Sequence, residues 1–241
     1  MARSSSGCVS SVAIMLNEAA RHLYDGQEAE LYSGEQLIPG AAGSIEALVK
    51  YPSTYRSGRP IAVVCHPHPL YGGSMANKVV HILAATLVDM GLPALRFNFR
   101  GVGKSEGRFD HGHGECDDLL RVIDWFSQRN GKAPVWLAGF SFGAFVAARA
   151  HVEANVERLL LVAPPVSMFD FRLAGELHVP TLVIQGGRDE VIDARAVRHW
   201  TAAQRTPPAL HWMEDADHFF HGKLNQLRDL IKAEWGTDAL V

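Results

Sequence analysis

The sequence is short of cysteine, of unbalanced charge and of long apolar runs, and each shortage excludes a class of protein. Its three cysteines, Cys8, Cys65 and Cys116, are far apart and outside any C-x-x-C arrangement, so neither a disulfide framework nor a zinc site is expected. The 23 basic and 26 acidic residues are mixed along the chain, which leaves no basic stripe for nucleic acid and no polybasic membrane patch. We therefore expect a cytoplasmic protein with reduced thiols and a small-molecule substrate; homo-oligomerisation stays open.

The longest apolar run near the start of the chain, Val12–Leu16, is too short for the core of a signal peptide. Secretion is therefore not expected. We predict a loose N-terminal extension over residues 1–30 and one domain over residues 31–241. With 241 residues and 47% hydrophobic content, the chain has enough apolar material to bury a core of its own.

Short apolar runs alternate with longer amphipathic stretches from residue 35 onward. Most of the apolar runs are continuous, as is typical of buried parallel strands. The predicted strands are Ile45–Val49, Ile61–Cys65, Ala94–Phe97, Val135–Ala138, Leu159–Val162, Thr181–Ile184 and Ala209–Trp212. The predicted helices are Asn77–Met90, Gly114–Arg129, Phe142–Ala154, Ala194–Gln204 and Phe219–Trp235. This pattern predicts an α/β fold: a mostly parallel, doubly wound sheet of about eight strands with helices on both faces.

A serine lies where one predicted strand turns into a helix, within Gly139-Phe140-Ser141-Phe142-Gly143. The pattern G-x-S-x-G in this position predicts a nucleophile elbow. A serine on so tight a turn is forced toward positive φ, and both flanking glycines give the backbone the space to close. The N–H of Phe142 opens the following helix and is a candidate donor to an oxyanion.

Serine needs a base to accept its proton, and the base needs a third group to orient it. Asp189 follows one predicted strand in a Gly-Gly-Arg-Asp turn, and His218 follows the next in an Asp-His-Phe-Phe turn. The order serine, acid, histidine is that of the α/β-hydrolases. Asp170 and Glu190 remain as alternative acids, and His221 remains as an alternative base.

Four segments carry a resemblance to the α/β-hydrolase superfamily that spans about residues 35–235: Arg100–Gly107, Gly139–Gly143, Gly186–Asp189 and Ala216–Phe220. The run His-Pro-His-Pro-Leu-Tyr-Gly-Gly-Ser-Met at His66–Met75 resembles a group of small bacterial serine hydrolases related to the dienelactone-hydrolase type. The resemblance implies that Ser141 is the nucleophile. It also implies that His218 is general base and then acid, and that Asp189 orients it.

The loop after the second predicted strand departs from the family pattern, since the usual His-Gly is His66-Pro67 here. Proline has no N–H to donate. By alignment with the family pattern the second oxyanion donor is the backbone N–H of His68. Leu70 and Tyr71 are the alternatives if the loop folds differently.

Only residues 163–180 separate the sixth and seventh of the family's strands, which is too short for a helical cap of any size. We therefore expect little or no cap domain and an open cleft. Its walls are predicted to include Tyr71, Phe140, Phe142, Phe169 and Phe219, any of which is equally compatible with ordinary core packing.

No cofactor or metal is expected. The pairs His66/His68 and His111/His113 have H-x-H spacing, but a loop shaped by two prolines is better explained as a wall of the site. Gly103-Lys104-Ser105 resembles the end of a phosphate-binding loop, yet the glycine this motif needs at position 98 is asparagine.

The sequence therefore predicts a serine hydrolase that cleaves a small ester-like substrate through an acyl-enzyme intermediate. A peptidase, thioesterase or lactone hydrolase with the same triad remains an alternative. So does a non-catalytic relative that binds a ligand or partner in the same cleft.

Overall fold

The computed structural model describes residues 33–55 and 58–236. The predicted extension over residues 1–30 lies outside the described residues. Within the described ranges, eight strands form one sheet: β1 Gly34–Gly40, β2 Gly43–Lys50, β3 Ile61–Cys65, β4 Ala94–Phe97, β5 Val135–Phe140, β6 Val156–Val162, β7 Thr181–Gly186 and β8 Ala209–Met213. The helices are α1 Lys78–Asp89, α2 His113–Arg129, α3 Phe142–Ala150, α4 Ala194–Ala202 and α5 Leu224–Trp235.

The strand order in the sheet is β1-β2-β4-β3-β5-β6-β7-β8. The pairs β1–β2 and β2–β4 are antiparallel, and every other neighbouring pair is parallel. Strands β3, β5 and β7 are buried at every residue, which is why their sequences read as unbroken apolar runs. The predicted mostly parallel sheet is confirmed.

Helices cover both faces of the sheet, as predicted. Successive side chains of a strand point to opposite faces, so Val135 and Leu137 of β5 pack into the core beneath α2, α3 and α4, while Trp136 and Phe140 pack into the core beneath α1 and α5. The central strand β5 is thus held from both sides, and the segment that follows it starts from a rigid support.

The largest differences from the predictions are one missed strand and two helix boundaries. Strand β1 was not predicted, because it is an antiparallel edge strand in which only Ile38 is buried. Helix α3 ends at Ala150 rather than at residue 154. Helix α5 begins at Leu224 rather than at residue 219, because Phe220 (φ 54°) and Gly222 (φ 68°) adopt left-handed backbone conformations that a right-handed helix does not contain.

The connection between β6 and β7 carries one short 3-10 helix, Phe171–Ala174, and no larger element. The expectation of little or no cap domain is confirmed. In the described part of the chain, no helix has both the length and the apolar character needed to cross a membrane.

Candidate active site

Ser141 lies at the sharp turn between β5 and α3. Its backbone has φ 54° and ψ −122°, and its N–H donates to the carbonyl of Val162 at 2.9 Å. A Cβ on Gly139 would collide with the carbonyl of Gly143, and a Cβ on Gly143 would collide with the carbonyl of Cys65. Both glycines are therefore required for the turn to close, and the strained serine backbone is held by the packed strands around it.

The imidazole of His218 contacts the carboxylate of Asp189, with 2.9 Å between Nδ1 and Oδ2. The two side chains are 3% and 0% exposed, respectively. Asp189 also accepts a hydrogen bond from Nε2 of Gln185 at 2.9 Å and from the N–H groups of Val191 at 2.9 Å and Ile192 at 2.7 Å. The carboxylate is therefore fixed by four donors and cannot rotate away from the imidazole.

These contacts determine the state of the pair. Burial alone would raise the pKa of Asp189, but the hydrogen bonds from His218, Ile192 and Val191 outweigh burial, and the pKa lies below its ordinary value. An ionised carboxylate only accepts, so Nδ1 of His218 carries the hydrogen of this bond. Among the described residues no hydrogen bond engages Nε2 of His218, which leaves that nitrogen available as a base.

Ser141 and His218 both line one cavity of about 420 Å³ at the carboxyl ends of the central strands. Of the predicted wall residues, Tyr71, Phe142, Phe169 and Phe219 line it as well. Phe140 does not. It is fully buried, and its ring centroid lies 5.1 Å from that of His218, so it supports the imidazole from beneath.

Two N–H groups of the loop from His66 to Gly73 that were considered as oxyanion donors already have acceptors within the loop. The N–H of Leu70 donates to Nδ1 of His68 at 3.2 Å, and the N–H of Tyr71 donates to the carbonyl of His68 at 3.1 Å. Within the described part of the chain, no acceptor engages the N–H of His68 or that of Phe142. Both residues line the cavity, so these two N–H groups remain free to donate there.

The alternative acids and the alternative base lie in other surroundings. Asp170 is exposed and pairs with Arg172, with two contacts of 2.8 Å. The carboxylate of Glu190 accepts the backbone N–H of His218 at 3.3 Å rather than an imidazole hydrogen. His221 is 74% exposed. None of the three is among the residues that line the cavity, and in the described part of the chain none forms a hydrogen bond with the imidazole of His218.

His66, one of the histidines considered as a metal ligand, is buried with both ring nitrogens occupied. Its Nδ1 lies 2.6 Å from the carbonyl oxygen of Pro67, and its Nε2 accepts the N–H of Phe99 at 2.9 Å. Burial lowers its pKa to about 4, so the ring is neutral near pH 7. Across residues 33–55 and 58–236, no three His, Cys, Asp or Glu side chains are grouped so as to hold a metal ion.

Sequence reasoning missed several residues of the site. Gln185 lies at the end of β7 and holds Asp189, and its position at the carboxyl end of a predicted strand was a usable signal. Val191, Ile192 and Met168 line the cavity. The first two lie two and three residues after the acid, whereas the irregular segment that carries Met168 gives no periodic signal.

Comparison with known proteins agrees with this geometry. The family described as alpha/beta hydrolase domain matches residues 63–230. A solved α/β serine hydrolase from Xanthomonas campestris, described as lacking a lid, is 38% identical with a TM-score of 0.82, covering 90% of this chain and 98% of that chain. An α/β serine hydrolase homologue from Coxiella burnetii is 40% identical with a TM-score of 0.82, covering 86% of this chain and 99% of that chain. An uncharacterized protein of Rickettsia prowazekii is 37% identical over 202 residues, which are 80% of this chain and 84% of that protein.

The chain belongs to the α/β-hydrolase family. The fold, the serine on its elbow and the similarity to solved serine hydrolases together support a hydrolase.

Proposed function

We propose that the protein is a serine hydrolase of small ester-like substrates, with Ser141 as nucleophile, His218 as general base and acid, and Asp189 as the orienting carboxylate. The observation that supports this most strongly is the buried pair of His218 and Asp189, whose imidazole lines the same cavity as the strained serine. A buried histidine costs stability unless it is paired, and a serine at positive φ stores strain. Their combination in one cleft is typical of a catalytic site.

In the first half of the reaction, the hydroxyl oxygen of Ser141 attacks the carbonyl carbon of the substrate while Nε2 of His218 takes the hydroxyl proton. The carbonyl oxygen becomes an oxyanion, which accepts hydrogen bonds from the N–H groups of Phe142 and His68. Asp189 stabilises the imidazolium that forms. His218 then returns the proton to the leaving alcohol, and the acyl group stays on Ser141.

In the second half, water replaces the alcohol. Nε2 of His218 accepts a proton from water as its oxygen attacks the acyl-enzyme, and the same two N–H groups hold the second oxyanion. Collapse of this intermediate breaks the bond to Ser141, whose oxygen recovers the proton from His218. The products are a carboxylic acid and the free enzyme.

The lining of the cavity supports an apolar acyl group. Its wall includes the apolar side chains of Phe142, Met168, Phe169, Ile192 and Phe219. A volume of about 420 Å³ suits a small ligand, near the lower end of typical small-molecule sites. The same triad chemistry extends to thioesters, lactones and peptides. Comparing kcat/KM across a panel of esters and these substrates therefore shows which leaving group is preferred.

A fluorophosphonate probe, which reacts with an activated serine, tests the proposal. The parent protein should react with the probe. Ser141→Ala should abolish this labelling and should lower kcat for ester hydrolysis by about 10⁴-fold or more. Ser167→Ala is a matched control, since Ser167 is an exposed serine next to a wall residue, and it should label normally. Labelling that persists in Ser141→Ala would assign the nucleophile elsewhere. A folded protein that neither labels nor hydrolyses any member of the panel would favour the non-catalytic alternative.

We also propose a cytoplasmic location. Cys65 and Cys116 are both free and buried, and burial raises the pKa of each thiol. Buried reduced thiols are typical of proteins in reducing compartments. A fluorescent fusion or cell fractionation measures the location directly.

A further inference from the structure

A second cavity, of about 320 Å³, lies between the antiparallel edge of the sheet and helix α1. We name it the edge groove and define it by Leu48 and Lys50 of β2, Arg96 of β4, and His81, Ala85 and Val88 of α1. None of the residues that line it also lines the active-site cavity. It is therefore a separate site.

Strand register brings the groove's side chains together. Leu48 is paired with Arg96, and Lys50 is paired with Ala94, so all four side chains point to the same face of the sheet. That face is the one on which α1 packs. The helix contributes His81, Ala85 and Val88, which its periodicity places on one side. The result is an apolar trough with cationic groups on its walls.

The charge of the groove is not balanced by the protein. In the described part of the chain, no acidic residue lines it, and neither Lys50 nor Arg96 forms an ion pair with a described carboxylate. The guanidinium of Arg96 is half-buried and donates from Nη1 to the carbonyl of Met75 at 2.8 Å, which leaves further N–H groups of its planar fork without a charged partner.

The same imbalance acts on the neighbouring histidine. Burial, together with the charges of Arg96 and Lys50, lowers the pKa of His81, and burial lowers the pKa of Arg96 itself. Groups that are partly removed from water without a counter-charge are stabilised when an anion binds beside them. Arg96 and Lys50 thus provide positive charge that could pair with a bound anion.

We propose that the edge groove binds an amphipathic carboxylate. Its apolar chain would lie along Leu48, Ala85 and Val88, and its carboxylate would accept hydrogen bonds from Arg96 and an ionic contact from Lys50. A guanidinium fork matches the two oxygens of a carboxylate, and the apolar trough favours an alkyl chain over a compact anion. The site does not depend on the reaction proposed for Ser141.

Octanoate is the probe, and backbone amide shifts of the isotope-labelled full chain report where it binds. We expect saturable shifts around Lys50, His81 and Arg96. Octanamide, which keeps the chain but has no charge, and inorganic phosphate, which keeps a charge but has no chain, should each bind at least about tenfold more weakly, since a charge-assisted hydrogen bond and the burial of several CH₂ groups are each worth that much.

Two kinds of variant separate charge from shape. Arg96→Gln combined with Lys50→Gln should weaken octanoate binding about tenfold or more, while Arg205→Gln, an exposed cation beyond α4 on the opposite face of the sheet, should not change it. Ala85→Leu fills the trough and should weaken binding while all charges remain. Shifts confined to the active-site residues Gly72 and Phe142 would overturn the proposal, as would equal affinity for octanamide or phosphate, or unchanged affinity in both kinds of variant.

Discussion

Two histidines in the segment that follows β8 each pair with an aspartate, and they lie in different surroundings. Nδ1 of His218 lies 2.9 Å from Oδ2 of Asp189, and Nδ1 of His221 lies 2.8 Å from Oδ2 of Asp217. The side chains of the first pair are 3% and 0% exposed, and those of the second are 74% and 33% exposed. The contact distance alone therefore does not distinguish a candidate catalytic pair from a surface pair.

The pKa of the carboxyl does not distinguish the pairs either. For Asp189 and for Asp217 alike, burial raises the pKa and hydrogen bonds outweigh it, so that both pKa values lie below the ordinary value. The difference lies in the environment of the imidazole. The imidazole of His218 is held between the carboxylate of Asp189 and the ring of Phe140. The imidazole of His221 is solvated, and exposed pairs of this kind contribute little to stability.

Removing each imidazole tests the comparison most directly. His218→Ala should lower kcat for a short ester by about 10⁴-fold or more, because it removes the group proposed to accept the serine proton. His221→Ala is the matched control and should stay within about twofold of the parent, because its ring is solvated. Steady-state kinetics on the two purified variants measure both values. Similar losses in the two variants would show that exposure does not separate the pairs.

Neutralising each carboxylate is expected to have a smaller effect. Asp189→Asn keeps the shape but offers His218 an amide in place of a charge, so the imidazolium loses its stabilising partner and kcat should fall by up to about 10⁴-fold. Asp217→Asn should leave kcat within about twofold. The kinetics are run together with Asp170→Asn. A larger loss in that variant than in Asp189→Asn would assign the orienting acid to Asp170.

His66 extends the comparison to a buried histidine that has no carboxylate partner. Its pKa is about 4 in the folded protein against an ordinary value of 6.5, so between these pH values the unfolded chain binds a proton that the folded chain does not. Stability should therefore fall as pH drops from 6.5 to 4, by up to ~3 kcal/mol from this group. In His66→Gln, urea unfolding at several pH values should show a flatter dependence. A parent slope in His66→Gln would contradict the prediction.

The elements that carry the site could be predicted because local chemistry determines them. The elbow of Ser141 requires two glycines, and the turns of Asp189 and His218 follow apolar strands. The motif and the order along the chain were therefore enough to nominate these three residues as candidates. The choice between His218 and His221 depends on burial, which tertiary packing determines. The prediction of a helix from residue 219 placed His221 in the wrong element, because the left-handed residue Phe220 has no signal in the sequence.

Two further differences arise from packing. Strand β1 escaped prediction because an edge strand with one buried residue, Ile38, lacks a continuous apolar run. Phe140 was expected in the cavity wall, but alternation along β5 sends its ring to the buried face beneath His218. An aromatic beside a catalytic motif can serve the wall or the support, and only the direction of the strand decides between them.

Phe219 lies between the two histidines, with ring centroids 5.0 Å from His218 and 5.9 Å from His221, and it gives the smallest predicted effect. It is 41% exposed and forms part of the wall of a cavity over which residues 33–55 and 58–236 build no cap. Each CH₂ of an acyl chain that this cavity buries should raise kcat/KM by about fourfold, and each CH₂ that extends beyond the cavity should add nothing. Esters whose acyl groups have about two to six carbons are therefore expected to be the best substrates. Phe219→Ala should reduce the gain from acetate to hexanoate, because the longer chain loses its outer wall, while His221→Ala should leave the series unchanged. Kinetics on a series of p-nitrophenyl esters measure both.

A preference for long chains, or a sharp rise in activity when the substrate forms micelles, would contradict the open cleft. In that case the exposed Leu70, Tyr71, Met168 and Val191 around the entrance would be the first side chains to test as contacts to an aggregated substrate, since a contiguous apolar rim is the kind of surface that such an interface would cover.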